Sequence, residues 1–184
     1  MAEALSQQNA SLEQLSATMA FPKRFNAETE AMGNKASFLT QESLNLIAKQ
    51  ITPARSKKST YDIRCDKHGG RNRYADAIET YFDDCSVKTI EESRPISSYE
   101  FLEGRATICF VAKGEDWLPI ALASMVAKYL REIFMGRWNE FWRSHLPELK
   151  PTKGYPLDAR RFKTDIAGVQ KELRIDDDSI WRKR

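Results

Sequence analysis

Between residues 117 and 142 apolar side chains return every three or four positions: Leu118, Leu122, Met125, Val126, Tyr129, Ile133 and Phe134. That rhythm predicts one long amphipathic helix, with Pro119 suited to its first turn. Ser124, Lys128, Arg131 and Glu132 run as a polar strip down another side. Residues 37–51 repeat the rhythm with Phe38, Leu44, Leu46 and Ile47 and stop at Pro53, while 72–82 and 156–173 predict two more helices. Alternation takes over at 61–66, where Tyr61, Ile63 and Cys65 oppose Asp62, Arg64 and Asp66. This predicts a strand. Residues 86–91 and 106–112 read as strands joined by a turn-rich connection, and the apolar run 17–21, closed by Pro22, as another. Lys57, Lys58, Ser59 and Thr60 read as a loop. Strands alternating with helices predict an α/β mixed sheet flanked by helices. Residues 1–15, with sparse leucines among Gln, Ser, Ala and Glu, read as a weakly structured lead to one domain over 16–184.

At 184 residues and 41% hydrophobic content the chain can build a single core. Its net charge of +3 makes it weakly basic, which on its own demonstrates no nucleic-acid binding. Cys65, Cys85 and Cys109 form no CxxC pair, as expected of reduced structural thiols in a cytoplasmic protein. No apolar run approaches the roughly 18 residues of a membrane helix, so no membrane partner is expected. The first twenty residues lack a basic start followed by an apolar run, so no secretory leader is expected.

Three acids stand out by context. Asp66 closes the alternating strand just before Gly69 and Gly70, Glu115 follows Lys113 and Gly114, and Glu132 lies on the long helix. Ligands of open α/β sheets bind beyond the carboxyl ends of strands. Carboxylates there, without thiols or paired histidines, suit Mg²⁺ or Mn²⁺. Neighbouring cations then suit a phosphate substrate and two-metal phosphoryl chemistry. Each acid also has a simpler reading, as a helix cap or a solvated charge. His68 reads as a loop histidine, and Gly69-Gly70 as a turn that, with Arg71 and Arg73, can hold phosphate. Trp138, Phe141 and Trp142 read as core rather than as a base-stacking platform. Asp62 and Asp66 share a face but sit about 13 Å apart along a strand, too far to share one ion.

Several segments together resemble type 2 ribonuclease H (ribonuclease HII). Residues 121–132, ALASMVAKYLRE, resemble the family's helix motif A-A-S-I-I-A-K-V-x-R-D, with Ala123, Ser124, Ala127, Lys128, Arg131 and Glu132 in step. Lys113-Gly114-Glu115 followed by Pro119 resembles the family's K-G-D and its proline, one residue short of the usual spacing to the helix motif. DIRCD at 62–66 resembles the strand that ends in the family's third carboxylate, and Gly154-Tyr155-Pro156 resembles the Gly-Tyr opening the last helix. The resemblance covers about residues 60–180 in order.

It implies a ribonuclease H-like sheet and cleavage of the RNA strand of RNA–DNA hybrids, or of DNA at single ribonucleotides, with Mg²⁺ or Mn²⁺. Asp66 and Glu115 would be the third and fourth metal carboxylates, Glu115 standing where the family has Asp, with Glu132 a further candidate ligand. Tyr155 would pack at the ribonucleotide junction, where the 2′-hydroxyl distinguishes RNA from DNA. Ser124, Lys128, Arg71, Arg73 and Arg160 would contact the substrate. The family's opening strand ending in Asp-Glu, with its G-x-G-P turn, has no counterpart: the early acids Glu3, Glu13, Glu28 and Glu30 precede no such turn. The expectation is therefore a domain incomplete at its N-terminal side, holding two of four metal carboxylates. Two functions follow from it: a hybrid-cleaving endoribonuclease, or a non-catalytic relative that binds nucleic acid. As a bare 184-residue chain it would self-associate and leave hybrids uncut.

Overall fold

A computed structural model describes residues 11–51, 59–82 and 85–183. Two helices come first, α1 (Pro22–Ala31) and α2 (Lys35–Gln50), and then strand β1 (Tyr61–Asp66) and helix α3 (Ala75–Tyr81). A three-stranded meander follows: β2 (Lys88–Glu92), β3 (Ile96–Phe101) and β4 (Ala106–Val111). A 3-10 turn at Gly114–Asp116 leads into α4 (Leu118–His145), α5 (Pro156–Glu172) and α6 (Asp177–Ile180). The sheet is mixed, in the order β1-β4-β3-β2. β1 runs parallel to β4, while β3 is antiparallel to both β4 and β2.

Local chemistry accounts for most boundaries. Asn34 caps α2 by accepting from Ser37 N at 2.8 Å. Pro119 stands in the first turn of α4, where a missing N–H costs nothing. The β3–β4 turn places Glu103 and Gly104 at positive φ, as a tight hairpin requires, and Arg105 N closes it on Leu102 O at 3.1 Å.

Strand β3 lies in what the spacing presents as a turn-rich connection. Its serines break the apolar alternation, yet Ser97 and Ser98 are buried, and Ser97 Oγ donates to Asn72 O at 2.6 Å. Residues 17–21 form no strand: none pairs with them among the described residues, and Pro22 starts α1 directly. Lys57 and Lys58 fall outside the described residues, as does most of the 1–15 lead, of which 11–15 is irregular and exposed.

Two apolar clusters form the core. One packs Leu44 of α2 and Tyr74 and Ile78 around α3 on Tyr99, Phe101, Ala106, Ile108 and Phe110 of the sheet. Tyr61, Ile63 and Cys65 of β1 lean on it, which bears out the alternation. The other gathers Trp142, Leu149, Phe162 and Ile166 from α4, α5 and the loop between them. Trp142 and Trp138 belong there as expected, whereas Phe141 is exposed.

Helix α4 turns Ile120, Met135, Trp138 and Trp142 inward, and the stripe that the sequence marks points the other way. Leu118, Met125, Tyr129 and Ile133 are exposed, at 54, 61, 67 and 44%. A helix with apolar residues on both faces has buried the face holding the tryptophans.

The outermost strand β1 keeps one edge open. Tyr61 N donates to Arg105 O at 2.8 Å and Lys67 N to Val111 O at 3.0 Å, so the odd residues hold the ladder to β4. In a parallel pair the even residues then direct their backbone groups away. Asp62, Arg64 and Asp66 therefore face an edge that no strand covers among the described residues.

Candidate functional site

Asp66 ends β1 opposite Val111, the last residue of β4, and Glu115 follows four residues later in the 3-10 turn. The parallel pairing thus brings both acids to one edge of the sheet, each exposed. Lys113 takes a left-handed backbone (φ 57°) at the corner, and Gly114 is buried where a Cβ would stand 2.5 Å from Ile120 Cδ1. A side chain at 114 would have to push the Ile120 Cδ1 methyl aside.

The loop after Asp66 is tied down from three directions. Lys67 Nζ donates to Asn72 Oδ1, Ser93 O and Ser97 Oγ at 2.8, 2.7 and 2.9 Å. Burial holds this ammonium below its ordinary pKa, against the opposing pull of Glu91 and Glu92. Tyr74 stacks on Phe110 with centroids 3.7 Å apart, and Tyr74 N donates to Tyr99 OH at 2.9 Å.

His68 completes the anchorage on α2. Thr40 donates its hydroxyl to Ala36 O at 2.8 Å, so its oxygen accepts from His68 Nδ1 at 3.0 Å. That assigns the proton to Nδ1 and leaves Nε2 to accept from Ser43 Oγ at 3.2 Å. Burial, reinforced by Arg71 and opposed by Asp66, pushes the imidazole down to about 4. His68 is a neutral structural clamp rather than a base poised near neutrality.

The expected substrate cations divide. Arg71 points inward, donating to Thr40 Oγ1 and Arg73 O with its guanidinium over the Tyr74 ring. Arg73 is 90% exposed, with Glu92 3.7 Å away. Lys128 and Arg160 are exposed and Ser124 half-buried. Glu132 pairs with Arg131 at 3.1 Å. It lies fourteen residues beyond the start of α4, about 21 Å along the axis.

Tyr155 is 62% exposed and firmly mounted. Asn139 grips both backbone groups of Thr152, at 2.9 and 2.8 Å. Asp158, in the first turn of α5, accepts from Thr152 Oγ1 at 2.6 Å and Lys153 N at 2.9 Å. These bonds and Arg161 hold its carboxyl down to about 2. Arg131 donates to Lys153 O and lies over the Tyr155 ring at 5.4 Å. Tyr155 is thus presented at the middle of α4, whereas Glu115 precedes its first turn.

Thr40, Ser43, Lys67, Asn139 and Asp158 give no motif in the sequence. Only the Asp at the third position of a helix opened by Pro156 hints at a cap. Among the described residues no group of three or more His, Cys, Asp or Glu side chains is gathered as a metal ion needs. Burial pushes the Cys65 thiol up to about 12, so it is no thiolate ligand. Among the same residues no helix is long and apolar enough to cross a membrane. In comparisons with known proteins, no family model, no curated protein and no solved structure matches this chain.

Proposed function

We propose that this chain is a ribonuclease HII-type protein that recognises RNA–DNA hybrids or ribonucleotide-containing DNA, with Asp66 and Glu115 as the carboxylates it brings to the site. The observation that carries this reading is the place of Asp66 at the carboxyl end of β1 and of Glu115 four residues beyond the end of its parallel neighbour β4. Open α/β sheets bind ligands beyond such strand ends. Tyr155, fixed from both sides and exposed, supplies an aromatic face for a sugar or base, and Lys128, Arg73 and Arg160 supply charge for phosphates.

Mg²⁺ or Mn²⁺ takes oxygen ligands, and Asp66 and Glu115 are of that kind. A two-metal centre needs more, and no third donor joins them among the described residues. The residues do not fit a complete centre, and no cleavage step is assigned to them. The second reading, a relative that binds hybrids without cutting them, needs no further ligand.

One experiment separates the two. Fluorescence anisotropy with hybrid, duplex DNA and duplex RNA should show preference for the hybrid, and Tyr155→Ala should weaken it about tenfold. The same preparation with Mg²⁺ or Mn²⁺ should leave the hybrid uncut. Cutting that disappears in Asp66→Asn and Glu115→Gln would establish the enzyme instead. Equal affinity for all three duplexes would sink both readings.

A further inference from the structure

Charge is sorted around α5. Its acids Asp158, Asp165 and Glu172 recur every seven residues and so line one side of the helix. Arg161 lies beside them and pairs with Asp158 and Asp165, each at 2.7 Å. Lys163 is drawn to Asp177 of α6 at 2.6 Å. Arg160 and Lys171 stand on another side, about 20° apart around the axis and about 100° or more from every acid of the helix. With Thr164 and Ala167 they make a strip at i, i+4, i+7 and i+11, and all four residues are exposed. Among the described residues no carboxylate pairs with Arg160 or Lys171. The same holds for Lys153, two residues before Tyr155, and for Arg174 in the turn that ends the helix.

The ends of α5 account for some of these cations and not for others. Lys171 and Arg174 stand where the helix dipole favours positive charge. Arg160 is the fifth residue of the helix, near the end that favours anions. Asp158 answers Arg161 there, and no side chain answers Arg160.

We infer that this strip of α5 is a phosphate-backbone contact, along which a nucleic-acid strand runs from Tyr155 towards Arg174, held by Lys153, Arg160, Lys171 and Arg174.

The dimensions suit that partner. Eleven residues separate Arg160 from Lys171, about 16 Å along the axis. One strand of a duplex passes about five phosphates in that length. Thr164 and Ala167 between them are short, and Thr164 keeps its hydroxyl on Arg160 O at 3.2 Å, so a backbone can lie close. A lipid surface would call for large apolar side chains along the cationic strip, and a protein partner for an apolar anchor at its centre. The strip has neither: Leu157, 80% exposed, stands beside Tyr155 at one end. Tyr155 at that end, 62% exposed, offers a ring to a base or sugar. This inference rests on the proposed function for the class of partner and not for its preference for hybrids.

Fluorescence anisotropy with a hybrid and with the DNA duplex of the same sequence, from about 50 to 200 mM KCl, reads the phosphate contacts from the salt slope. Arg160→Ala, Lys171→Ala and Arg174→Ala combined should flatten the slope by about two to three units for both duplexes. These side chains are exposed, so far-ultraviolet circular dichroism and the melting midpoint should hold within a few degrees. Lys23→Ala, Lys35→Ala and Lys49→Ala combined remove the same charge from α1 and α2 and should leave the slope as it is. A slope unmoved by the α5 variant, or flattened as much by the other, would overturn the inference even where the hybrid is preferred. Equal wild-type affinity for the two duplexes, with the slope still flattened by the α5 variant alone, would support it and sink the hybrid preference instead. Binding to neither duplex would overturn it, whether or not the chain adheres to phosphatidylserine vesicles.

Discussion

His68 shows how much one neutral side chain can carry. Its ring joins α2 to the loop after Asp66 through Thr40 and Ser43 and meets Tyr74 and Phe110 edge-on, at 5.8 and 5.5 Å. Its pKa lies at about 4 when folded against an ordinary 6.5, so the unfolded chain binds the proton more readily. The stabilisation is therefore complete above pH 6.5 and is lost as pH falls through 4. The loss amounts to about 1–2 kcal/mol by pH 5. Urea midpoints at pH 7 and pH 5 should differ more for the wild type than for His68→Asn, whose amide does not titrate. Equal differences in the two proteins would remove His68 from this role. In the sequence it reads as an ordinary loop histidine, because Thr40 and Ser43, which make it a clamp, stand 28 and 25 residues away. The place of Asp66 at the end of β1 was legible because strand ends can be read locally. Arg71 was not: guanidinium beside glycines signals phosphate, yet here it is used by Thr40 and Tyr74.

Among the elements, the corner between β4 and α4 is the most tightly specified. A methyl group on Gly114 would overlap Ile120, so Gly114→Ala should cost about 1–3 kcal/mol, measured as a lowered urea midpoint. Shortening the obstruction with Ile120→Val should return part of that loss; a Gly114→Ala chain as stable as wild type would show that the corner yields. Four helices and three of the four strands were legible because their apolar spacing survives in the chain. β3 was not, since Ser97 and Ser98 look polar to any count of spacing, though both are buried and Ser97 bonds Asn72 and Lys67. α1 was not either: it buries Phe25 and Asn26, and such a narrow contact leaves no stripe. The periodicity of α4 located the helix correctly and misjudged its inward face. Spacing tells which residues share a side, and tertiary packing chooses among sides.

Across the whole molecule, the sheet cluster and the helical cluster are joined by α4 and closed by a clasp distant in sequence. Asn26 Nδ2 donates to Trp181 O and Lys183 N donates to Asn26 Oδ1, each at 2.8 Å and spanning 155 and 157 residues. Arg182 lies over Phe25 at 4.8 Å, and Phe25 meets Phe38 of α2 edge-on. The clasp orders events in time. During synthesis α1 must wait for 155 further residues before the partner that closes the clasp exists. Loops of that size close late, after local helices and the β3–β4 hairpin have formed. Asn26→Ala should therefore leave the refolding rate nearly unchanged and speed unfolding about tenfold, as expected for a contact absent from the transition state. Stopped-flow mixing into and out of urea reads both limbs, and a slowed folding limb would mean that the clasp forms early. The distant clasp on α1 thus governs how long the folded chain lasts rather than how fast it forms.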